Sequence, residues 1–133
     1  MRPIQTRTVF QNAPSSPLGR VSIAGTIFHS GGVPCDSMRV LGSYAVVFML
    51  DGSGFYRDVN GVSLEVVAGD LILIFPDIAH CYGPYEYSHW TEIYLVFDGA
   101  AFDLWRQNGV ICPSRPLLRL GAPEYWLRRL ESV

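Results

Sequence analysis

The sequence contains no lysine, few cysteines and no long hydrophobic run. All ten basic residues are arginines, and they are scattered from Arg2 to Arg129. Phosphate binding requires clustered cations, and the formal net charge is -2, so the composition argues against a nucleic-acid-binding surface. We interpret the missing lysine as a composition bias that indicates no function.

The three cysteines, Cys35, Cys81 and Cys112, lie far apart in the chain. An odd number without a CxxC pair predicts neither a disulfide framework nor a redox or metal motif of that kind. We therefore expect reduced thiols and a cytoplasmic location. No stretch reaches the ~18 apolar residues of a membrane span, and the N-terminus has no apolar core of signal-peptide length, so no membrane partner is expected.

The remaining composition indicates one compact domain, because 49% of the 133 residues are hydrophobic and only 17% are charged. Residues 1–19 are polar and contain three prolines, which predicts an N-terminal arm without regular structure. The sequence does not decide whether this arm closes over a pocket or is a frayed tail.

Short apolar segments between turn residues predict a series of strands. The central one lies in residues 69–80 (GDLILIFPDIAH), is apolar on both faces and must be covered on both. Residues 20–28 and 44–50 are further strands, the second ended by a turn at 51–54. Residues 55–59 and 62–67 flank Asn60-Gly61, which predicts a hairpin with a type I′ turn.

Residues 81–90 are predicted to be a connection, and residues 91–97 (TEIYLVF) another strand. Side chains alternate along a strand, so this segment has one face with Glu92, Tyr94 and Val96 and an opposite face with Ile93, Leu95 and Phe97.

The pattern then becomes helical, which divides the chain into a predicted barrel at 20–97 and a helical segment at 98–133. Asp98 is the predicted cap of a first helix that stops at Gly109. A second helix begins at Pro123 and carries one apolar face of Trp126, Leu127, Leu130 and Val133. Because this helix ends in mid-pattern, we expect the sequence to be part of a longer chain.

The segment GDLILIFPDIAH resembles the second motif of the cupins, with Gly69 and His80 at its first and last marked positions. Phe75 and Asp77 replace the usual proline and glycine. The upstream YAVVFMLDGSG is similar to the first cupin motif. The resemblance implies an all-β fold, a cupin-like double-stranded β-helix (jelly roll) with C-terminal α-helices.

Metal-dependent cupins place two histidines and a glutamate in the first motif and a histidine in the second. Alignment on Gly52 puts Arg39, Leu41 and Ala45 at those first-motif positions, so only His80 is retained. One imidazole beside a cation cannot hold a divalent ion, and we expect neither a metal nor another cofactor.

Residues from about 20 to 133 resemble more specifically the N-terminal effector-binding and dimerisation domain of AraC-type transcriptional regulators. This resemblance rests on Gly69-Asp70, the proline turn, His80-Cys81-Tyr82-Gly83, the following tryptophan-led strand and the helix. It implies a small-molecule effector, a homodimer through the C-terminal helix and DNA binding through a helix-turn-helix half that this chain lacks.

The resemblance and the shared face of Glu92 and Tyr94 predict a site for a small, sugar-like molecule. Aromatic rings can cover C–H surfaces while a few polar groups bind hydroxyls. The candidate ligand-binding residues are Arg39, His80, Tyr82, Glu92 and Tyr94. Each also has a structural interpretation: His80 in a hydrogen-bonded turn, the tyrosines in the core, and Arg39 and Glu92 at the surface.

We expect no catalytic residues, since no Ser-His or Cys-His arrangement is evident and the adjacent His80 and Cys81 would point to opposite faces of a strand. The alternative function is a stand-alone cupin enzyme, an isomerase or oxygenase, against which the missing metal ligands count. A weaker third alternative is a cupin dimer without a ligand.

Overall fold

The computed structural model describes residues 5–11, 16–86 and 88–132, and within them the chain forms eight strands and two helices. The elements in chain order are β1 (Gln5–Gln11), β2 (Arg20–Phe28), β3 (Tyr44–Asp58), β4 (Ser63–Val67), β5 (Asp70–Ile74), β6 (His80–Pro84), β7 (Trp90–Asp98), α1 (Ala100–Gln107), β8 (Leu117–Arg119) and α2 (Pro123–Glu131). The predicted all-β architecture with C-terminal helices is confirmed.

The longest strand, β3, belongs to two sheets. Its first part pairs with β5 and β7, and its second part pairs with β4 and β6. The register on β7 shifts between Met49 and Asp51, where β3 passes from one sheet to the other. The turn predicted at residues 51–54 is therefore wrong, because the chain bends there as a bulged but continuous strand.

The main core lies between the two sheets and draws on both. The first sheet, in the order β1-β2-β7-β3-β5-β8, contributes aliphatic side chains of β3 and β5 and the indole of Trp90. The second sheet contributes Tyr56, Val66 and Tyr82. On the other face of the first sheet, Leu73 joins a smaller cluster that packs against Phe102 of α1. Strand β5 is thus covered on both faces, as its apolar sequence predicted.

The hairpin predicted around Asn60 and Gly61 is confirmed, although its turn differs. Gly61 has a φ of +85° but Asn60 has no positive φ, so the turn is not type I′. The Asp58 carboxylate accepts hydrogen bonds from the backbone N–H groups of Asn60 (2.9 Å) and Val62 (3.2 Å). These bonds fix the loop in its observed shape.

Two segments that were predicted to lack regular structure are strands. Gln5–Gln11, in the predicted arm, pairs antiparallel with β2, and His80–Pro84, largely in the predicted connection, pairs with the second part of β3. Both predictions were wrong because another strand supplies the backbone hydrogen bonds, and local composition does not reveal that pairing. The rest of the predicted arm, residues 1–4 and 12–15, lies outside the described residues.

The helices follow the predicted order with one difference at a cap. No side chain caps the start of α1, and the predicted cap Asp98 instead accepts a hydrogen bond from the Ser43 hydroxyl (2.7 Å). Gly109 follows α1 with a φ of +75°, and α2 begins at Pro123, both as predicted. Neither helix of the described chain is long and apolar enough to cross a membrane.

Candidate ligand-binding site

A cavity of about 170 Å³ lies at the inner face of the first sheet. Strands β2, β3, β5, β6 and β7 and the segment before β3 all contribute to its wall, which consists of Ile27, Arg39, Leu41, Ala45, Val47, Ile74, Tyr82, Glu92, Tyr94 and Val96. Six of these side chains are aliphatic. An apolar wall with a few polar groups is typical of a small-molecule site.

Strand register explains why these residues meet. Glu92, Tyr94 and Val96 alternate along β7, so they share one face, as the sequence predicted. On the neighbouring β3, Val47 lies opposite Tyr94 and Ala45 lies opposite Val96. The wall is therefore a set of cross-strand neighbours.

Four of the five predicted ligand-binding residues line this cavity. They come from three different places: Glu92 and Tyr94 from β7, Tyr82 from β6 in the second sheet, and Arg39 from the segment before β3. Of the ten lining residues only Arg39 is exposed, so its guanidinium stands at the mouth.

Glu92 is the buried acid of the cavity, with 1% of its surface exposed. Burial raises the pKa of its carboxyl to about 7. The Trp90 hydrogen bond, the Arg39 charge and the Ser30 hydroxyl each lower this pKa, but burial has the larger effect. The Trp90 indole Nε1 donates that hydrogen bond to Glu92 Oε1 over 3.1 Å. Near neutral pH this carboxyl can therefore either donate or accept a hydrogen bond.

Arg39 is held over the cavity by its backbone. Its N–H donates to the carbonyl of His80 (2.9 Å), and the N–H of His80 donates to the carbonyl of Arg39 (3.0 Å). Among the described residues the guanidinium forms no ion pair within 4.0 Å, although its charge lowers the pKa of both Glu92 and Tyr82. The site thus has a cation at its mouth and an acid in its interior.

The two tyrosines differ in burial. Tyr82 is 7% exposed, and burial followed by the Glu92 charge raises the pKa of its phenol. Tyr94 is only partly buried and fits because Gly25 lies beside it on β2: a Cβ at Gly25 would come within 2.9 Å of the Tyr94 hydroxyl. Gly25 was not singled out from the sequence, although a glycine inside a strand often marks the close approach of another group.

His80 does not line the cavity, unlike the other four predicted residues. Its ring stacks between Tyr56 and Tyr82, with ring centroids 6.3 and 5.9 Å away, and its Nδ1 lies 3.1 Å from the Ile78 carbonyl, to which it can donate. Its Nε2 is buried without a hydrogen-bond partner in the described part of the chain. His80 therefore packs against Tyr82, a residue of the cavity wall, without lining the cavity itself.

The residues at the first-motif metal positions do line the cavity, but they do not suit a metal ion. Arg39, Leu41 and Ala45 offer a cation and two hydrocarbon side chains. Within residues 5–11, 16–86 and 88–132, no group of three or more histidine, cysteine or acidic side chains could hold a metal. The donor set does not fit the metal centre of a cupin enzyme.

Cys35 and Cys81 form a disulfide, which corrects the expectation of reduced, unpaired thiols at these positions. Their Cα atoms are 5.0 Å apart although 46 positions separate them in sequence. Residues 33–42 lie along β6, with bridges from Val33 to Tyr82 and from Arg39 to His80, and this pairing brings the two sulfurs together. Cys112 is free, and hydrogen bonds with Ser114 lower the pKa of its thiol.

A larger cavity of about 490 Å³ lies between residues 110–119 and strands β4 and β5. Its lining contains the exposed Arg119 and the free Cys112 but no buried ionisable side chain. The smaller cavity combines a buried acid, a buried phenol and a cation, so it is the better candidate for specific recognition.

Two packed sheets that share a bent central strand, with a cavity on the inner face, define a cupin-type barrel. Solved structures agree: YhaK from Escherichia coli has a TM-score of 0.57 at 16% identity over 86% of this chain and 49% of its own. The cupin domain of Cnp3 from Schizosaccharomyces pombe has a TM-score of 0.53 at 10% identity, over 81% and 73% of the two chains. A cupin-like protein from Thermotoga maritima has a TM-score of 0.51 at 14% identity, over 90% and 77%.

These identities establish the fold alone, and the chain spans about half the length of YhaK. No curated protein matches the sequence. The sequence model of the AraC-like ligand binding domain matches residues 26–131, which is most of the chain. The protein belongs to this family.

Proposed function

We propose that this chain is the effector-sensing and dimerisation domain of an AraC-type transcriptional regulator, and that a small, sugar-like molecule binds in the 170 Å³ cavity. One observation carries the proposal: Arg39, Tyr82, Glu92 and Tyr94 come from separate parts of the chain and meet at one apolar-walled cavity.

The chemistry of these four groups suits a molecule with several hydroxyls. Glu92 binds a hydroxyl as donor or acceptor, Arg39 donates from the mouth, and the rings of Tyr82 and Tyr94 cover C–H surfaces. A cavity of about 150 Å³ holds benzene, so this one suits a molecule the size of a single six-membered ring.

The effector acts by shifting a conformational equilibrium. A ligand that binds one arrangement of the domain more tightly favours that arrangement and so changes how attached DNA-binding halves are presented. In this proposal the domain works in the cytoplasm as a homodimer through α2, and DNA binds to a further helix-turn-helix domain.

The residues of α2 differ in what they offer a partner subunit. Tyr125 is exposed and can contact a second copy, whereas Trp126 is half-buried and donates a hydrogen bond within its own domain, to the Leu120 carbonyl (3.2 Å).

We assign no catalytic role to the cavity. Two features of the wall support this. Arg39, Leu41 and Ala45 cannot bind a metal, and the wall contains no histidine and no second carboxylate that could act with Glu92 as an acid–base pair.

A thermal-shift screen of the purified domain tests the proposal, with pentoses, hexoses, sugar acids, small aromatic acids and divalent metals as additives and EDTA as a control. A ligand at 100 times its dissociation constant stabilises a protein by about 2.7 kcal/mol, which is a visible shift. We expect stabilisation by one sugar-like class and no response to EDTA. Destabilisation by EDTA that one metal reverses would overturn the proposal in favour of a cupin enzyme.

A pair of matched variants locates the binding. Glu92→Gln keeps the shape of the buried side chain but removes its charge, whereas Glu65→Gln makes the same change at an exposed position of β4. We expect the stabilising compound to lose at least about tenfold in affinity for Glu92→Gln, because hydrogen bonds to charged groups contribute about 1.5–3 kcal/mol, and none for Glu65→Gln. Equal affinities would remove Glu92 from the site.

A further inference from the structure

Residues 33–42 form one wall of the cavity without belonging to a sheet. The segment lies along β6 through four backbone hydrogen bonds, two between Val33 and Tyr82 and two between Arg39 and His80. It contributes Arg39 and Leu41 to the cavity lining. Its position therefore decides whether the cation stands at the mouth.

The Cys35–Cys81 disulfide joins this segment covalently to β6. Cys35 lies between Val33 and Arg39, so the bond is placed between the two pairs of backbone hydrogen bonds. Cys81 is completely buried, whereas Cys35 is partly exposed. Cys35 is therefore the less buried end of the disulfide, and we take it as the end that a reductant attacks.

A regulator of transcription works in the cytoplasm, where a disulfide can be reduced. Low-molecular-weight thiols and thioredoxin-type dithiols keep that compartment reducing, and disulfides that form there are commonly transient and redox-sensing. A bond that ties one wall of an effector cavity to the sheet is suited to such a role.

We infer that the Cys35–Cys81 disulfide is a redox-controlled tie that holds residues 33–42 over the effector cavity, and that a thiol reductant releases this segment and lowers effector affinity. The inference rests on the proposed function, because it takes the cavity as the effector site. Oxidised protein is the form that binds effector tightly, and reduced protein is the form with an open cavity.

The reaction is a thiol–disulfide exchange. A thiolate attacks the Sγ of Cys35, the Cys35–Cys81 bond breaks, and Cys81 leaves as a thiolate that takes up a proton. A second thiol attacks the mixed disulfide, so that two reductant thiols become one disulfide and two protein thiols form. Two electrons and two protons pass to the protein, and a small-molecule disulfide reverses the reaction.

Hydrogen exchange measured by NMR tests the release without any ligand. We expect the amides of Val33 and Arg39 to exchange at least about tenfold faster in reduced than in oxidised protein, while the amides of Val46 and Val47 in the first sheet keep their rates. Cys35→Ser should match the reduced protein with or without reductant, and Cys112→Ser should keep the full response. Equal exchange rates in the two redox states would overturn the inference.

Acrylamide quenching tests the opening of the cavity in a variant in which Trp105 and Trp126 are replaced by phenylalanine. Trp90 is fully buried and donates a hydrogen bond to Glu92, a residue of the cavity wall, so its fluorescence reports on the access of a quencher to that wall. Reduction should raise the quenching constant, and an unchanged constant would contradict the inference.

The thermal-shift panel, repeated on oxidised and reduced protein, connects the two proposals. We expect the stabilising compound to bind at least about fivefold more tightly to oxidised protein. Faster exchange and quenching with no stabilising compound would refute the proposed function and leave the redox-controlled segment standing. A compound that binds both forms equally would refute the inference and leave the function standing.

Discussion

Trp90 and Glu92, two residues apart on β7, are joined inside the protein by a hydrogen bond of 3.1 Å from the indole Nε1 to the carboxyl Oε1. The indole is completely buried and the carboxyl is 1% exposed. A buried acid whose hydrogen-bond donors are neutral is only partly compensated for its lost hydration, so its protonation depends on pH in the neutral range.

Replacement of Glu92 by glutamine should change how stability depends on pH. The pKa of Glu92 is about 7 in the folded protein against an ordinary value of 4.5, so the folded state holds the proton more tightly than the unfolded state. The free energy of unfolding therefore falls as pH rises from about 4.5 to about 7 and levels off above, by about 3 kcal/mol in all. Glu92→Gln should lack this fall, as measured by urea unfolding between pH 4.5 and 8.

The charged group facing Glu92 is Arg39, with the neutral donors Trp90 and Ser30 beside it. Glu65→Gln is the matched control, because it makes the same change of side chain at an exposed position. Parallel profiles for Glu92→Gln and wild type would show that Glu92 titrates alike in the folded and unfolded states.

His80 should titrate below its ordinary pKa of 6.5. Burial is the main cause and the Arg39 charge adds to it, while the bond to the Ile78 carbonyl and the Asp58 charge oppose it. Because the folded-state pKa is depressed, the neutral ring favours the folded state above pH 6.5, and that stability is lost as pH falls. A titration of the His80 resonances by NMR should show a neutral ring with its proton on Nδ1; a midpoint above 6.5 would contradict this.

Gly52 should tolerate no side chain. It lies opposite Trp90 where β3 passes between sheets, its φ is +109°, and a Cβ would collide with the carbonyl oxygen of His89. We expect Gly52→Ala to lower the free energy of unfolding by about 2–4 kcal/mol. Gly31→Ala, which meets no heavy atom within 4 Å, should change it by less than about 0.5 kcal/mol. Equal midpoints in urea would refute the strain at Gly52.

The ion pair between Asp77 and Arg106 should contribute little. Arg106 donates to both carboxylate oxygens, at 2.6 and 3.1 Å, but the Asp77 side chain is 62% exposed. We expect Asp77→Asn to cost less than about 1 kcal/mol. Arg106→Ala should cost more, because the guanidinium also covers the Phe75 ring, 4.9 Å from its centroid. A double-mutant cycle measures the pair, and a larger cost for Asp77→Asn than for Arg106→Ala would contradict this ranking.

Local pattern in the sequence determined several elements. The apolar run after Gly69 gives β5, the alternation after Trp90 gives β7, and Pro123 begins α2 as expected. The same alternation placed Glu92 and Tyr94 on one face. These are two of the four ionisable residues that line the cavity. These predictions held because strand and helix periods depend on neighbouring residues.

Other features depended on partners far away in the sequence. The continuation of β3 past Gly52 and the strand at His80–Pro84 exist because other strands pair with them. His80 faces Tyr56 and Tyr82 instead of the cavity for the same reason.

The site was completed by the tertiary structure alone. Pairing of residues 33–42 with β6 places Arg39 at the cavity mouth and joins Cys35 to Cys81 across 46 positions of the chain. Burial by all the surrounding strands then raises the pKa of Glu92. The sequence by itself determined which residue types were present and which of them alternate on one strand. Only the folded chain decided which distant residues meet and how far each is removed from water, because both depend on long-range contacts.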